Sequence, residues 1–261
     1  MEMNIEDKNI NSNLKNSEIV FSKHSGDSLL IELRKIVSEF FPENYSYYSG
    51  LTIHDYRSIV NEAQEAFNQK DFSRKIALNL KNQIVSYIGE ESFLIQSNLY
   101  LRATRSNVRE DTESINWHRE TFYGLNMEKS LNIWTPILNV TNLNTLRFIP
   151  ESQKIPEEDI SIESIEDPIT RKGSDGNRIG FLYAPKKIIG GVNLDNSLPM
   201  MVPYNFSSIF PGNLIHGAAV NHSNNKIRFS VDFRILPKSA YNDNLSKQFH
   251  ITSGKPYFEA L

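Results

Sequence analysis

The chain has 261 residues, of which 39% are hydrophobic, and its formal net charge is −3. This length and apolar content support one sizeable core, and the small net charge gives no electrostatic footprint for nucleic acid or an anionic membrane. The sequence contains no cysteine, which excludes disulfides, thiolate metal sites and cysteine nucleophiles.

The first residues are polar and rich in Asn, Lys and Glu. They predict a mobile tail over residues 1–17, followed by a short strand at 19–21. The beginning has neither the basic region nor the apolar run of a secretory signal, and no apolar stretch approaches membrane-spanning length. We therefore expect a cytoplasmic protein in which residues 18–261 form a single domain.

A helical front is predicted over residues 26–90. Apolar residues recur there with the period of an amphipathic helix, which predicts helices over 28–41, 52–68 and 71–88. Pro42 ends the first of these helices, and Gly89 ends the third.

From residue 93 the apolar pattern alternates, as in half-buried strands, and a β core is predicted over about 93–237. After the first strand from residue 93, further strands are predicted over 130–138, 146–149, 179–183, 200–209, 214–216 and 226–236. A helical front followed by many short strands predicts an α+β fold, with the helices buttressing a two-sheet sandwich or barrel. The acid-rich segment 151–180 interrupts the strands, and it is either a lid loop or a solvated insertion.

Three residues have the side chains of a metal site. On extended backbone alternate residues point the same way, so His118 and Glu120 would aim at one point. The alternative is a buried histidine paired with a carboxylate. His216 follows a tight turn at 210–213, and Gly217 after it would leave room next to a metal. Two histidines and one carboxylate, with open positions opposite, are the ligand set of non-haem iron(II) oxygenases.

The most regular alternation lies at residues 228–235. One face carries Arg228, Ser230, Asp232 and Arg234, and the other carries Phe229, Val231, Phe233 and Ile235. The polar face either meets solvent or lines a ligand cavity. A guanidinium binds a carboxylate through two parallel hydrogen bonds, which suits the distal carboxylate of a 2-oxo diacid. Arg228, with Ser230 two residues on, and Arg234 are the two candidates for this role.

Other polar residues on predicted strands are candidates for contacts with the cosubstrate or the substrate. The alternative for each is ordinary strand polarity. They are Asn98, Tyr100, Arg102 and Asn132.

Three blocks of the stretch from about 114 to 236 resemble the phytanoyl-CoA hydroxylase-like branch of the iron(II)/2-oxoglutarate oxygenases. Residues 117–120, Trp-His-Arg-Glu, resemble its Trp-His-x-acid metal motif. Residues 131–136 and 146–152 resemble its strand pair ending in an apolar-Pro-x-Ser turn. His216-Gly217, with Asn221, Arg228 and Ser230, resembles its distal histidine and oxoglutarate-binding strand.

The resemblance implies a double-stranded β-helix, a jelly-roll or cupin-like barrel. It also implies iron(II) held by His118, Glu120 and His216, and 2-oxoglutarate held by Arg228 with Ser230, with Asn132 bordering the site. This chain departs from the family in two places. Glu120 stands where Asp is commoner, and residues 151–153 are Glu-Ser-Gln where the family commonly has Gly-Ser-His.

The resulting hypothesis is an oxygenase that uses dioxygen to hydroxylate a small polar metabolite, such as an amino acid, sugar or cyclitol. 2-Oxoglutarate is decarboxylated to succinate and CO2 in that reaction. The alternatives are the same chemistry used for desaturation or ring closure, a cupin-type metal-binding barrel without 2-oxoglutarate, and a non-catalytic binding protein. A small-molecule substrate is expected, with no nucleic acid or membrane partner.

Overall fold

The computed structural model describes residues 5–106, 116–123, 127–164, 186–218, 220–241 and 257–261. Most of its helices precede most of its strands along the chain. The helices are α1 (Ile5–Asn16), α2 (Ser28–Phe40), α3 (Tyr45–Ser49), α4 (Ile53–Gln69), α5 (Phe72–Asn79) and α6 (Lys81–Ile88). None of the helices in the described part of the chain is long and apolar enough to cross a membrane.

The strands in the described ranges are antiparallel. They are β1 (Val20–Lys23), β2 (Phe93–Gln96), β3 (Tyr100–Thr104), β4 (Leu131–Leu138), β5 (Leu146–Phe148), β6 (Ser161–Ser164), β7 (Lys186–Gly190), β8 (Leu198–Pro199), β9 (Phe206–Pro211), β10 (His216–Ala218), β11 (Arg228–Pro237) and β12 (Phe258–Ala260).

The predicted helical front is present, with local differences. Residues 5–16, predicted as part of a tail, form a helix, and α3 was not anticipated. The helix predicted over 71–88 is divided at Leu80, which ends α5 and begins α6. The N-cap side chain of Asn44 accepts a hydrogen bond from the backbone N–H of Tyr47, which satisfies one free donor at the start of α3.

The predicted strands also differ in their bounds. The strand from residue 93 is divided between β2 and β3, where the N–H of Ser97 donates to the carbonyl of Tyr257. The strand predicted over 200–209 begins only at Phe206. The strand predicted over 179–183 lies outside the described residues. Of the segment 151–180, residues 161–164 form β6, which pairs with β7, and residues 165–180 lie outside the described ranges.

The larger sheet has seven strands, and β11 is central to it. One edge of β11 pairs with β4, and the other pairs with β3 and β2. The side chains of Phe229, Val231, Phe233 and Ile235 lie in the same buried cluster as apolar residues of α2, α4 and α5. The helices therefore cover one face of this sheet, as predicted, and the residues that alternate with these four point to the opposite face.

A smaller sheet, in the order β10-β5-β8, packs against that opposite face. A second buried cluster joins the two sheets: Trp134 and Phe210 come from the larger sheet, and Leu146 and Phe148 come from the smaller. Two antiparallel sheets with interdigitated inner faces and helices on one outer side form an α+β fold. The polar face of β11 thus lies between the sheets rather than in solvent.

Candidate metal and cosubstrate site

The two histidines of the predicted site are direct neighbours across an antiparallel pair of backbones. The N–H of His118 donates to the carbonyl of His216 over 3.0 Å, and the N–H of His216 donates to the carbonyl of His118 over 2.9 Å. The two rings lie 4.4 Å apart between centroids. These residues are far apart in sequence, so the pairing of the smaller sheet brings them together.

Glu120 reaches the histidines in a different way from the one predicted. His118 lies in an isolated bridge, and Glu120 begins a 3-10 helix, Glu120–Tyr123, so the expectation of a shared strand is wrong. The N–H of Glu120 donates to the carbonyl of Gly212 over 2.7 Å, which anchors this turn to the loop before His216. The prediction that the side chains of His118 and Glu120 converge is correct, but the turn and its anchor produce the convergence.

Backbone contacts fix the orientation of both imidazoles. Nδ1 of His118 lies 2.7 Å from the carbonyl of Asn116, and Nδ1 of His216 lies 2.8 Å from the carbonyl of Leu214. A carbonyl only accepts, so each Nδ1 carries the proton and each neutral ring presents the lone pair of Nε2. Burial lowers the pKa of both histidines, and for His118 the neighbouring His216 lowers it further. Both rings are thereby kept neutral, as metal ligands must be.

The three side chains fit a metal ion. One ligand atom from each of His118, Glu120 and His216 lies within 4.8 Å of the others, and all three residues are buried. Nε2 of His118 has no hydrogen-bond partner, although a buried polar atom normally has one. Oε1 of Glu120 lies 3.6 Å from Nε2 of His216 and 3.9 Å from Nε2 of His118. A convergent pair of imidazoles and one carboxylate oxygen is a donor set for iron(II) or a similar divalent metal.

Glu120 also lies at one end of a row of four buried charged side chains, each in contact with the next. Arg234 donates from Nε to Oε2 of Glu120 over 3.0 Å and from Nη2 to Oε1 over 2.9 Å. Nη1 of Arg234 donates to Asp232 over 2.8 Å, and Arg102 binds both carboxylate oxygens of Asp232. Burial raises the pKa of Asp232, but Arg102 and Arg234 outweigh it, so the pKa lies below its usual value. The four charges alternate in sign, and each is paired.

Arg228, the predicted cosubstrate residue, has a different environment. It is 1% exposed, its Nη1 donates to Oγ of Ser230 over 2.5 Å, and its Nε has no partner. Ser230 in turn accepts a hydrogen bond from Nε1 of Trp134 over 3.2 Å. Burial, followed by the nearby Arg102, lowers the pKa of Arg228 to about 10, so it remains charged at neutral pH. A buried guanidinium with an unused donor suits an anionic ligand.

The remaining polar candidates differ in their surroundings. Asn132, on β4, pairs directly with Arg234 of β11. It is 2% exposed, and its Nδ2 has no hydrogen-bond partner. Arg102 binds Asp232, and the ring of Tyr100 lies 5.1 Å from Cζ of Arg102 and 5.4 Å from Cζ of Arg234. Asn98 lies in the break between β2 and β3. Asn132 therefore keeps a free donor at the site, while Tyr100 and Arg102 belong to the charge network.

Several residues that support the site have no distinctive sequence signal. The ring of Tyr123 lies 5.7 Å from that of His118, edge to face. Oγ of Ser152 accepts from the N–H of Ile215, next to the distal histidine, and Arg119 donates to the carbonyl of Ser152. Among these, only Ser152 was part of a recognisable turn motif. Glu151 adopts the left-handed backbone (φ 58°) that favours glycine.

Gly217 has a different function from the one predicted. A Cβ at this position would lie 3.2 Å from Cε3 and 3.3 Å from Cα of Trp117. The absence of a side chain at Gly217 therefore accommodates Trp117 rather than leaving room next to a metal. Trp117 packs against the apolar cluster that contains Phe122 and Ile215.

No protein-family model matches the chain, and no curated protein matches it. Solved structures do match. EvdO2 from Micromonospora carbonacea var. aurantiaca is 12% identical, with a TM-score of 0.56 over 90% of this chain and 91% of that chain, and its complex with 2-oxoglutarate matches with a TM-score of 0.54.

Two other solved structures match to a similar degree. The epimerase SnoN, in complex with Fe3+, alpha-ketoglutarate and nogalamycin RO, is 10% identical, with a TM-score of 0.53 over 96% of this chain and 92% of that chain. AviO1 from Streptomyces viridochromogenes Tue57 is 10% identical, with a TM-score of 0.51 over 92% and 99%. At these identities the likeness establishes a shared fold, and any function has to be argued from the site itself.

Proposed function

We propose that this chain is a non-haem iron(II)/2-oxoglutarate-dependent dioxygenase that hydroxylates a small polar metabolite. The observation that carries the proposal is the buried cluster of His118, Glu120 and His216, in which both imidazoles present Nε2 to one carboxylate oxygen. The fold supports it, because similar structures include one complexed with 2-oxoglutarate and one complexed with Fe3+ and alpha-ketoglutarate.

We further propose that the fold is the double-stranded β-helix of the phytanoyl-CoA hydroxylase-like branch. Its support is the pair of packed antiparallel sheets and the order of the sequence blocks along them. His216 begins β10, an edge strand of the smaller sheet, and His118 pairs with it, while the candidate cosubstrate residues lie on the inner face of the larger sheet. Ligand sites at the mouths of β-barrels are common.

His118, Glu120 and His216 would hold iron(II). When bound, iron(II) with 2-oxoglutarate and dioxygen supplies the oxidising chemistry, in which 2-oxoglutarate is decarboxylated to succinate and CO2 and a C–H bond of the substrate is hydroxylated. The protein's share is to keep both histidines neutral through burial, to orient each ring through the contact of Nδ1, and to hold the three ligands on fixed backbone. The surrounding burial limits the access of water to the reacting groups.

Arg228 would bind the distal carboxylate of 2-oxoglutarate. Among the described residues, it forms no hydrogen bond or salt bridge with a carboxylate, and Ser230 orients it through Nη1. Arg234, the rival, already binds Glu120 and Asp232 through three of its donors. This difference favours Arg228 as the cosubstrate residue, and Asn132 has a free amide N–H for a further contact.

The polarity of the inner face supports the proposed substrate class. Charged and amide side chains line it, which favours a small polar molecule such as an amino acid, sugar or cyclitol over a long acyl chain. The proposal retains the expected cytoplasmic location and small-molecule substrate.

Anaerobic titration with iron(II) and 2-oxoglutarate tests the proposal. We expect a weak visible charge-transfer band that requires both additions, and succinate release once oxygen and a substrate are present. The variant His216→Ala should show no band, and Arg74→Gln, a change at a partly exposed side chain of α5, should behave like the wild type. A well-folded wild-type protein that shows neither the band nor iron binding would overturn the proposal.

The outcome of oxidation is tested separately. Desaturation and ring closure use the same site, and the SnoN structure is described as an epimerase. Mass spectrometry of the product separates these reactions. Hydroxylation adds one oxygen atom, desaturation or ring closure removes a pair of hydrogen atoms, and epimerisation leaves the mass unchanged. Metal binding without any effect of 2-oxoglutarate would favour the cupin-type alternative.

A further inference from the structure

We infer that Arg234 is a positioning residue for the metal-binding carboxylate. By binding both oxygens of Glu120, it restricts that side chain to coordination through one oxygen. The inference rests on the proposed function and adds to it a role for a residue that the metal and cosubstrate assignments leave unused.

The contact between Arg234 and Glu120 is a parallel, two-bond pair. Nε of Arg234 donates to Oε2 over 3.0 Å, and Nη2 donates to Oε1 over 2.9 Å. Oε1 is the oxygen that faces Nε2 of both histidines, at 3.6 Å and 3.9 Å. A planar fork that binds both oxygens fixes the plane of the carboxylate, so Oε1 remains the oxygen directed at the metal position.

Arg234 is itself held from several sides. Its Nη1 donates to Oδ2 of Asp232 over 2.8 Å, and its backbone N–H donates to Oε1 of Gln96 over 3.1 Å. Asp232 is fixed in turn by Arg102, with N–O distances of 2.7 Å and 3.0 Å. Arg234 and Asp232 both lie on β11, the central strand of the larger sheet. The carboxylate of Glu120 is thus tied, through this series of contacts, to the central strand of the larger sheet.

The identity of the ligand explains why such a restraint is useful. Glutamate has one more methylene than aspartate and therefore more conformers, and Glu120 sits on a short 3-10 turn rather than a strand. A carboxylate binds a metal through one oxygen or two. Three ligand atoms on a six-coordinate metal leave three positions, which the two donor atoms of 2-oxoglutarate and dioxygen would fill. A second oxygen from Glu120 would occupy one of these positions.

Charge alone would not require this geometry. A lysine at position 234 would supply the same positive charge, but its ammonium group cannot form two parallel bonds in the plane of a carboxylate. Comparing Arg234→Lys with Arg234→Met therefore separates orientation from charge. Arg74→Lys, a surface substitution of the same kind, serves as the matched control.

The first measurement is the binding of cobalt(II), a spectroscopic substitute for iron(II), to the full chain without any oxo acid. We expect both Arg234→Lys and Arg234→Met to bind it about 10- to 100-fold more weakly than the wild type and to change its visible spectrum, as the loss of a residue that orients a ligand typically does. Wild-type affinity and spectrum in folded Arg234→Lys would overturn the inference, because charge would then suffice.

The second measurement compares 2-oxoglutarate with 2-oxovalerate, which lacks the distal carboxylate, on the metal-loaded proteins. If Arg234 acts through Glu120, its variants weaken the binding of both oxo acids by the same factor, whereas Arg228→Met weakens only that of 2-oxoglutarate. A loss confined to 2-oxoglutarate in the Arg234 variants, with unchanged metal affinity, would make Arg234 the cosubstrate residue and overturn the inference.

Two further results bear on the inference about Arg234: whether its variants fold and whether the wild type binds metal. If the Arg234 variants do not fold, Asp232→Asn, which loosens Arg234 from the opposite side, should weaken metal binding in the same direction by a smaller factor. Unchanged affinity in that variant would overturn the inference. A wild-type protein that binds no metal would instead contradict the proposed function. If the wild type binds the metal and its variants bind it equally well, only the inference about Arg234 is overturned.

Discussion

The two faces of β11 have opposite chemistry, although every residue from Arg228 to Leu236 is buried. The face toward the helices carries Phe229, Val231, Phe233 and Ile235. The face toward the smaller sheet carries Arg228, Ser230, Asp232 and Arg234, which contact one another, Glu120, Arg102 and Trp134. One strand thus supplies both the centre of the core and the inner wall of the site.

This contrast indicates that the apolar face of β11 stabilises the fold more than its polar face does. Burying apolar side chains stabilises the fold at roughly 25 cal/mol per Å² of apolar surface removed from water. Burying charges requires desolvation, and the mutual attraction of the pairs often only offsets it. A buried face of paired charges is therefore weak as a stability device and is better explained by a ligand. The predictions below test this division.

The largest effect is expected for Glu120→Ala. It removes a proposed metal ligand and leaves Arg234 with an unused pair of donors, so we expect turnover to be lost and the free energy of unfolding to fall by about 3–5 kcal/mol. Urea unfolding and succinate release measure the two effects. Retention of full hydroxylation by this variant would contradict the ligand assignment.

Phe233→Ala should destabilise the protein without a direct effect on the site. Phe233 is fully buried on the helix-facing side, and its truncation should lower the free energy of unfolding by about 3–5 kcal/mol. Cobalt(II) affinity, measured well below the unfolding temperature, should match that of the wild type. A large change in metal affinity would show that the two faces are not separable.

Arg228→Met should show the reverse pattern. Replacement of a buried cation by an apolar side chain of similar length should be nearly neutral or stabilising. Loss of a charged hydrogen-bonding partner should nevertheless weaken 2-oxoglutarate binding about 10- to 100-fold. Calorimetric unfolding and titration of the metal-loaded protein provide both numbers, and unchanged 2-oxoglutarate affinity would exclude Arg228 as the cosubstrate residue.

The smallest effect concerns acid stability on the helix-facing side. His24 is buried, with Nε2 2.9 Å from Oγ of Ser207 and Nδ1 3.2 Å from Oδ1 of Asn79. Burial lowers its pKa in the folded state, although the contact with Asn79 partly raises it. Because the unfolded chain binds the proton more readily, the stability it contributes is present above pH 6.5 and is lost as the pH falls below that value.

The test compares the wild type with His24→Gln. We expect the melting temperature of the wild type to fall more steeply than that of the variant between neutral pH and pH 5, measured in metal-free buffer. Parallel curves would show that His24 does not contribute to acid sensitivity.

Local patterns allowed much of the fold to be predicted. The helices α2 and α4 follow from apolar periodicity, and β4 and β11 follow from alternation. The division at Leu80 and the break at 97–99 were not predicted, and the break coincides with a contact between Ser97 and the distant Tyr257. Long-range contacts of this kind leave no periodic signal in a short window.

The residues that form the site could be predicted better than their arrangement. The spacing of His118 and Glu120, together with the position of His216, identified residues that the structure brings within 4.8 Å. The placement of Glu120 on a 3-10 turn and the bond from Arg234 were not visible in the sequence. An alternating polar strand shows which residues share a face, but not which of two arginines binds a carboxylate of the protein.

The antiparallel bridge between His118 and His216 also affects the stage of synthesis and folding at which the site can form. The two histidines are about 100 residues apart, and Arg234 follows later still, so no partly synthesised chain ending before β11 contains the full constellation. Contacts between distant parts of a chain form late and slowly in folding. On the proposed assignment, the three ligands are synthesised before β11, but the contact that orients Glu120 forms only once β11 has joined the larger sheet.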